Sequence, residues 1–195
     1  MTPASSDELK DKMNFQRENI YHIYYRGNNK ERIFFERRNY IYFLEKINDH
    51  ICNASELFEY CLMPNHFHLL VYIDKESDAI NLNKEIATLL RSYTRAINEQ
   101  ENRTGSLFQQ KTKSKNVTHY GFYCLNYIHQ NPFNSGLLSK LEDWEFSSFN
   151  EYIGNSDRLF CNIKLAKSLL GIPDKEEFYD ISTEMINNDN LSKIF

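Results

Sequence analysis

The run Tyr60-Cys61-Leu62-Met63-Pro64-Asn65-His66-Phe67-His68-Leu69-Leu70-Val71-Tyr72-Ile73 constrains the fold more than any other stretch of this 195-residue chain. From Phe67 onward it is apolar and β-prone, the pattern of a strand buried on at least one side. Two histidines break that character at alternate positions. Side chains two apart in a strand leave from the same face, so His66 and His68 point together and Phe67 points away. Paired imidazoles are the beginning of a divalent-metal site. Taken alone, they are more simply two part-buried histidines hydrogen-bonded to backbone, because no third ligand lies near them in sequence. Any such ligand must come from elsewhere in the chain.

The segments on either side supply an architecture. Residues 1–19 are a polar lead-in. Ile20-Tyr21-His22-Ile23-Tyr24-Tyr25 reads as a first strand, ending at Arg26-Gly27-Asn28-Asn29, a loop bracketed by Arg26, Lys30 and Arg32. That loop is either a polar turn or a backbone-and-Arg cradle for a phosphate. Tyr40, Phe43, Leu44 and Ile47 recur at helical spacing over 39–51, and Leu82, Ile86, Leu89, Leu90, Tyr93 and Ile97 do so over 82–99. Arg91 and Arg95 lie off the second stripe, one turn apart. The spacing predicts a strand over 106–115 with Lys111, Lys113 and Lys115 on one face, suited to an edge strand or to tracking phosphates. A third helix is predicted over 118–130, closed by Asn131-Pro132. It carries Tyr120, Tyr123, Cys124 and Tyr127 on roughly one face, a stripe that by spacing alone would be core. Short helices follow near 165–170 and 176–188. Strands alternating with helices in this order predict an α+β fold: a ferredoxin-like antiparallel sheet with helices packed on one face, spanning 20–154, and a C-terminal helical extension over 155–195.

Composition narrows the function classes. The length suffices for one domain with a proper core. No apolar run approaches a membrane span, and the N-terminus lacks a signal h-region, so no membrane partner is expected. Cys52, Cys61, Cys124 and Cys161 are scattered without a C-x-x-C pair and read as reduced thiols of a cytoplasmic protein. A net charge of −4 argues against a generic polycationic nucleic-acid binder. Residues 84–115, however, hold seven basic side chains against three acidic ones, a local surface compatible with a phosphate backbone.

Four separated segments together resemble one family. His22-Ile23-Tyr24-Tyr25-Arg26-Gly27-Asn28, Leu62-Met63-Pro64-Asn65-His66-Phe67-His68-Leu69-Leu70, Tyr127-Ile128-His129-Gln130-Asn131-Pro132 and Trp144-Glu145-Phe146-Ser147-Ser148-Phe149 are similar, in this order, to motifs of the single-tyrosine HUH transposases, REP-associated group. The likeness covers roughly 20–154. It implies a metal-dependent mobile-element transposase for DNA transposition and recombination, whose endonuclease step cuts single-stranded DNA next to hairpins. Tyr127 would be the nucleophile and leave a 5′-phosphotyrosine and a free 3′-OH. His66, His68 and Asn131 would hold Mg²⁺ or Mn²⁺, with His129 and Gln130 as alternatives to Asn131, while Tyr120 and Tyr123 rival Tyr127 on spacing alone. Residues Arg26, Gly27, Asn28, Lys30, Arg91, Arg95, Lys111, Lys113 and Lys115 would contact DNA.

The chain departs from the family pattern at Gly105–Ser114, where His, Gly and Arg are replaced. Lys111 stands for the Arg, exchanging a bidentate phosphate donor for a point charge. The alternative reading is a domesticated, catalytically silent hairpin-DNA-binding protein. Relatives occur as dimers with shared active sites and as monomers, and a C-terminal segment able to cover the dimerisation surface favours a monomer over a homodimer here.

Overall fold

The computed structural model describes residues 14–77, 79–110 and 113–184. Strands β1 (Asn19–Arg26), β2 (Glu56–Met63), β3 (His66–Ile73) and β4 (Lys113–Asn116) form one antiparallel sheet in the order β2-β3-β1-β4. Helix α1 (Arg37–Lys46) connects β1 to β2, and α2 (Ala79–Gln100) connects β3 to β4. This is the expected ferredoxin-like arrangement. Pro64 and Asn65 make the tight turn that brings β3 back along β2.

Alternation along the strands produces two cores. Tyr21, Ile23 and Tyr25 leave β1 on one face and pack with Phe43 and Leu44 of α1 and with Ile86, Leu89 and Tyr93 of α2. Ile20, Cys61, Met63 and Leu70 leave the sheet on the opposite face. There they meet Cys124, Leu125 and Ile128 of α3 (Gly121–Asn134), together with Phe149 and Tyr152 of α4 (Phe149–Tyr152), Ala166 of α5 (Ile163–Leu170) and Phe178 of α6 (Lys175–Thr183). The α+β class stands, but helices on one face describe only α1 and α2. Strands apolar on both sides need two covers, and α3 with the C-terminal helices supplies the second.

Two predicted elements shift. Only Lys113–Asn116 of the strand expected over 106–115 pairs with β1; Leu107 and Phe108 instead turn into the first core, with a single bridge between Gly27 and Phe108. Lys111 lies outside the described residues. The third helix continues through Pro132 to Asn134. Proline has no N–H for the Ile128 carbonyl. The Asn131 side-chain amide donates there instead (3.3 Å) and to the Tyr127 carbonyl (2.9 Å), so the helix passes the proline with its acceptors satisfied.

The segment before α4 seals the exposed edge of β2. Trp144 Nε1 donates to the Leu62 carbonyl (3.1 Å), Leu62 N–H to Phe146 (2.9 Å), Ser148 N–H to Tyr60 (3.0 Å), and Tyr60 N–H to Ser148 Oγ (3.2 Å). An unpaired edge would template aggregation; here it is closed from within the chain.

Candidate active site

The antiparallel register of β1 and β3 sets Tyr24 opposite His68 and Arg26 opposite His66. Facing residues of an antiparallel pair share a side of the sheet, so His22, Tyr24, Arg26, His66 and His68 all project towards α3. Register with β4 adds Lys115 beside His22 and Lys113 beside Tyr24. Helix α3 crosses this face and brings Tyr127 onto it. The Tyr127 ring meets those of His68 and His22 edge-on, at 6.0 and 6.5 Å between centroids. The rival tyrosines do not. Tyr120 donates its hydroxyl to the Asn116 carbonyl (3.0 Å), and Tyr123 is 45% exposed.

Hydrogen bonds define which ring nitrogens are available. His66 Nδ1 lies 2.6 Å from Asn65 Oδ1, and Asn65 Nδ2 donates to the Lys30 carbonyl (3.0 Å), which fixes the amide with its oxygen towards the ring. His66 Nδ1 therefore carries the proton and Nε2 keeps a lone pair. His68 Nδ1 lies 2.8 Å from His22 Nε2, while His68 Nε2 is buried without any hydrogen-bond partner. A buried unpaired nitrogen costs stability unless something else satisfies it. With the shared proton on His68 Nδ1, that Nε2 becomes a second lone pair, and His22 stands where an outer partner would orient an imidazole able to ligate a metal.

The electrostatics agree with ligation. Burial, reinforced by the Lys115 charge, pushes His22 down to about 4. Burial and then Arg26 push His66 to about 4. Burial, the two neighbouring histidines and Arg26 hold His68 well below its usual value. All three are neutral at pH 7, the form that binds metal. Asn131 directs its amide nitrogen to the helix carbonyls, which leaves Oδ1 able to serve as a third donor to a metal. Among the described residues no three His, Cys, Asp or Glu side chains are grouped to hold a metal, so any ion here depends on that amide. The donor set, two imidazoles and one neutral oxygen, fits an ion that keeps open positions for water and phosphate.

Tyr127 sits in opposing fields. Burial raises its phenol to about 12; a side-chain hydrogen bond with Asn131 and the Arg26 charge pull it down. Arg26 Nε is itself buried without a partner. A guanidinium with an unused donor, beside two neutral imidazoles and a phenol, is a site shaped for an anion.

The other sequence-predicted residues separate clearly. His129 faces the second core on the far side of α3, with Nε2 3.1 Å from both Ser148 Oγ and Glu59 Oε1, and burial pushes it to about 3. Gln130 donates to the carbonyls of Ser182 (2.8 Å) and Glu184 (2.6 Å). Neither is available as third ligand: two residues past Tyr127 the helix has turned His129 away from the sheet face, and Gln130, only about 60° round from Tyr127, is committed to the end of α6. The Gly27 and Asn28 amides donate to the Asn65 (2.8 Å) and Leu107 (3.0 Å) carbonyls, so the loop is no backbone phosphate cradle. Gly27 is needed for packing, since a Cβ there would meet the Glu31 carbonyl oxygen at 2.2 Å. The Asn28 side chain donates to the Ser106 carbonyl (2.9 Å), and Lys30 is exposed. Arg91 and Arg95 line a separate open groove of about 600 Å³ with Tyr25, Asn98, Phe108 and Gln109. His22 and Tyr24 belong to the site although sequence reasoning passed over them. The signal was the alternation His22-x-Tyr24-x-Arg26.

No family model matches the chain. It is 28% identical over 105 residues to the "Putative REP-associated tyrosine transposase" of Haemophilus influenzae (strain ATCC 51907 / DSM 11121 / KW20 / Rd), a match covering 46% of this chain and 56% of that protein. The match thus spans just over half the length of that curated relative. A solved structure of a REP-associated tyrosine transposase bound to a REP hairpin superposes with a TM-score of 0.56 at 15% identity, over 76% of this chain and 87% of that one. The likeness read from the four motifs is borne out by the curated relative in sequence and by the solved structure in fold.

Proposed function

We propose that this chain is a metal-dependent single-strand DNA transposase that cuts and rejoins DNA beside a hairpin through Tyr127. The observation that carries the reading is the meeting, on one sheet face, of a phenol, a part-buried guanidinium whose buried Nε has no partner and a buried imidazole nitrogen with no partner. The hairpin in the solved relative supports the class of substrate.

In the reaction, Tyr127 Oη forms a bond to the scissile phosphorus and the bond from phosphorus to the 3′ oxygen breaks. The phenol gives up one proton and the leaving 3′ oxygen gains one. The products are a 5′-phosphotyrosine and a 3′-OH, and attack by another 3′-OH reverses the step without consuming water. A phenol held near 12 is a weak nucleophile at neutral pH, so the surroundings must favour its anion. Arg26 does so by charge and offers its donor to a phosphate oxygen. His66 and His68 through Nε2, with Asn131 Oδ1, would hold Mg²⁺ or Mn²⁺, which when bound offsets the phosphate charge and polarises its oxygens. His22 keeps His68 in the tautomer and orientation this requires.

The test is to incubate the protein with a labelled hairpin oligonucleotide carrying single-stranded flanks and Mn²⁺, then denature. The expected result is a protein–DNA adduct that disappears in Tyr127→Phe and on chelation. Hairpin binding with no adduct in either metal would make the chain a binding protein without turnover.

A further inference from the structure

We infer that the loop joining β1 to α1 orients His66: the Lys30 carbonyl holds the Asn65 side chain, whose amide oxygen confines the ring to the tautomer protonated at Nδ1. Asn65 is then a positioning residue for the candidate site. The use made of the free Nε2 lone pair rests on the metal-dependent reading above; the confinement does not.

The backbone of this loop is strained where it meets the turn before His66. Asn29 and Lys30 both have positive φ, 52° and 61°. Asparagine tolerates that region, but a lysine there is strained, and such residues persist only where the surroundings dictate the backbone. The surroundings here are the Pro64-Asn65 turn. A two-residue hairpin turn is most stable with positive φ at its first position; proline cannot adopt it, and Asn65 has none either. The turn is braced from outside instead. The Pro64 carbonyl accepts from the Ile33 (2.9 Å) and Phe34 (3.2 Å) amides, and the Asn65 carbonyl accepts from Gly27 (2.8 Å). With the two segments so joined, the left-handed step at Asn29 and Lys30 leaves the Lys30 carbonyl to accept from Asn65 Nδ2 (3.0 Å). An amide carries its donor and its acceptor on separate prongs, so committing Nδ2 to Lys30 turns Oδ1 to His66 Nδ1, 2.6 Å away. An amide oxygen only accepts, so the proton sits on that ring nitrogen.

The relay gives the loop after β1 a task other than holding phosphate. His66 is neutral at pH 7 and has one proton to place on two nitrogens. A ring free to protonate at Nε2 would give up that lone pair for part of the time, and with it the donor it can offer a divalent ion. Lys30 acts here through its backbone, since its side chain is exposed. Asn28 ties down the other side of the loop, donating its side-chain amide to the Ser106 carbonyl (2.9 Å).

The test uses the full chain with ¹⁵N-labelled histidine, in chelator at pH 7. Long-range proton–nitrogen spectra show which ring nitrogen is protonated, and His66→Gln assigns the His66 signals. Wild type should show His66 protonated at Nδ1. Asn65→Leu removes the acceptor and should move His66 towards the Nε2-protonated form, whereas Asn65→Asp keeps an acceptor and should retain Nδ1. The Lys30 variants test the same relay without touching the turn. Lys30→Gly accepts positive φ and should leave the spectrum of wild type, while Lys30→Val disfavours it and should shift His66 as Asn65→Leu does. Mn²⁺ added in place of chelator, with the free ion read by electron paramagnetic resonance, should bind Asn65→Leu roughly 10- to 100-fold more weakly than wild type. His66 protonated at Nε2 in wild type, or still at Nδ1 in Asn65→Leu, overturns the relay even if Mn²⁺ binds and the Tyr127 adduct forms. Identical spectra for Lys30→Val and Lys30→Gly also overturn it. The expected spectra with no Mn²⁺ bound by wild type support the relay and remove the metal-dependent reading.

Discussion

Replacing His22 should flatten the acid sensitivity of the fold by a calculable amount. In the unfolded chain an imidazole titrates near 6.5; in the folded protein burial and Lys115 hold His22 at about 4. Between pH 7 and pH 5 the unfolded form therefore takes up most of a proton and the folded form almost none. Stability rises with pH wherever the unfolded state binds more protons, so this contribution is fully present above about 6.5 and declines as pH falls towards 4. Integrating the two titrations gives about 2 kcal/mol lost between pH 7 and pH 5. Other groups contribute to the same curve. His66 and His68 act in the same direction. Glu59, raised well above its ordinary value by complete burial, acts in the opposite one, since its folded form holds a proton that the unfolded form has released. The difference between wild type and His22→Gln, each measured at both pH values, cancels most of these. Urea unfolding in chelator, which keeps metal binding out of the balance, should show wild type losing about 2 kcal/mol more than the variant. With a slope of about 2 kcal/mol per molar urea, that is a relative midpoint shift of about 1 M. A difference within about 0.5 kcal/mol would mean that His22 is not held neutral beneath α3, and the account of His68 as an oriented ligand would fall with it.

Three further outcomes follow from other parts of the structure. Asn131→Ala should abolish the metal-dependent adduct and also cost about 1 kcal/mol in thermal unfolding, because the Ile128 carbonyl loses its substitute donor beside Pro132; Asn131→Asp should restore part of the adduct yield. Glu59→Met should leave stability unchanged or raise it by roughly 1–3 kcal/mol in chemical denaturation, since the fully buried Glu59 carboxyl has only His129 Nε2 near it (3.1 Å) and no hydrogen bond. The Lys113→Ala/Lys115→Ala variant should lower the salt dependence of single-stranded oligonucleotide binding by a slope of about 0.7 for each phosphate no longer neutralised, read from titrations between low and moderate salt.

Much of the site was legible because its parts follow short periodicities. His66 and His68 share a face by the period of two, and Tyr127 and Asn131 share one by the period of a helix turn. The ferredoxin-like class followed from alternating strands and helices, but β2 was not separated from the histidine strand in the sequence. What escaped depended on long-range register. His22 and Tyr24 acquire their roles only once β1 is paired with β3 so that Tyr24 meets His68, and no local pattern sets that offset. The third-ligand ambiguity arose from treating Asn131-Pro132 as a helix end; with the helix continuing, Asn131 stays one turn from Tyr127 on the same face, while His129 turns into the second core and Gln130 bonds the end of α6. Of the strand expected over 106–115, Leu107 and Gln109 still bond across to Asn28 and Arg26 while Leu107 and Phe108 pack into the first core, but the regular ladder with β1 begins only at Lys113.

The four motifs also conflate two kinds of position that the fold separates. Arg26, His66, His68, Tyr127 and Asn131 face the candidate site. Gly27, Gln130, Trp144 and Ser148, drawn from the same motifs, face the scaffold, and each closes a specific backbone gap: a tight loop against Glu31, the end of α6, and the open edge of β2. Helix α3 belongs to both groups at once. Its outer stripe presents Tyr127, and its inner stripe sets His129 against Phe149, Tyr152 and Phe178. The C-terminal helices therefore bear on the position of Tyr127 through the buried side of α3. A change that loosens Phe178 would move α3 as a unit, altering Tyr127 and Asn131 together, whereas a change at His66 or His68 would alter the anion site and leave the helix where it is.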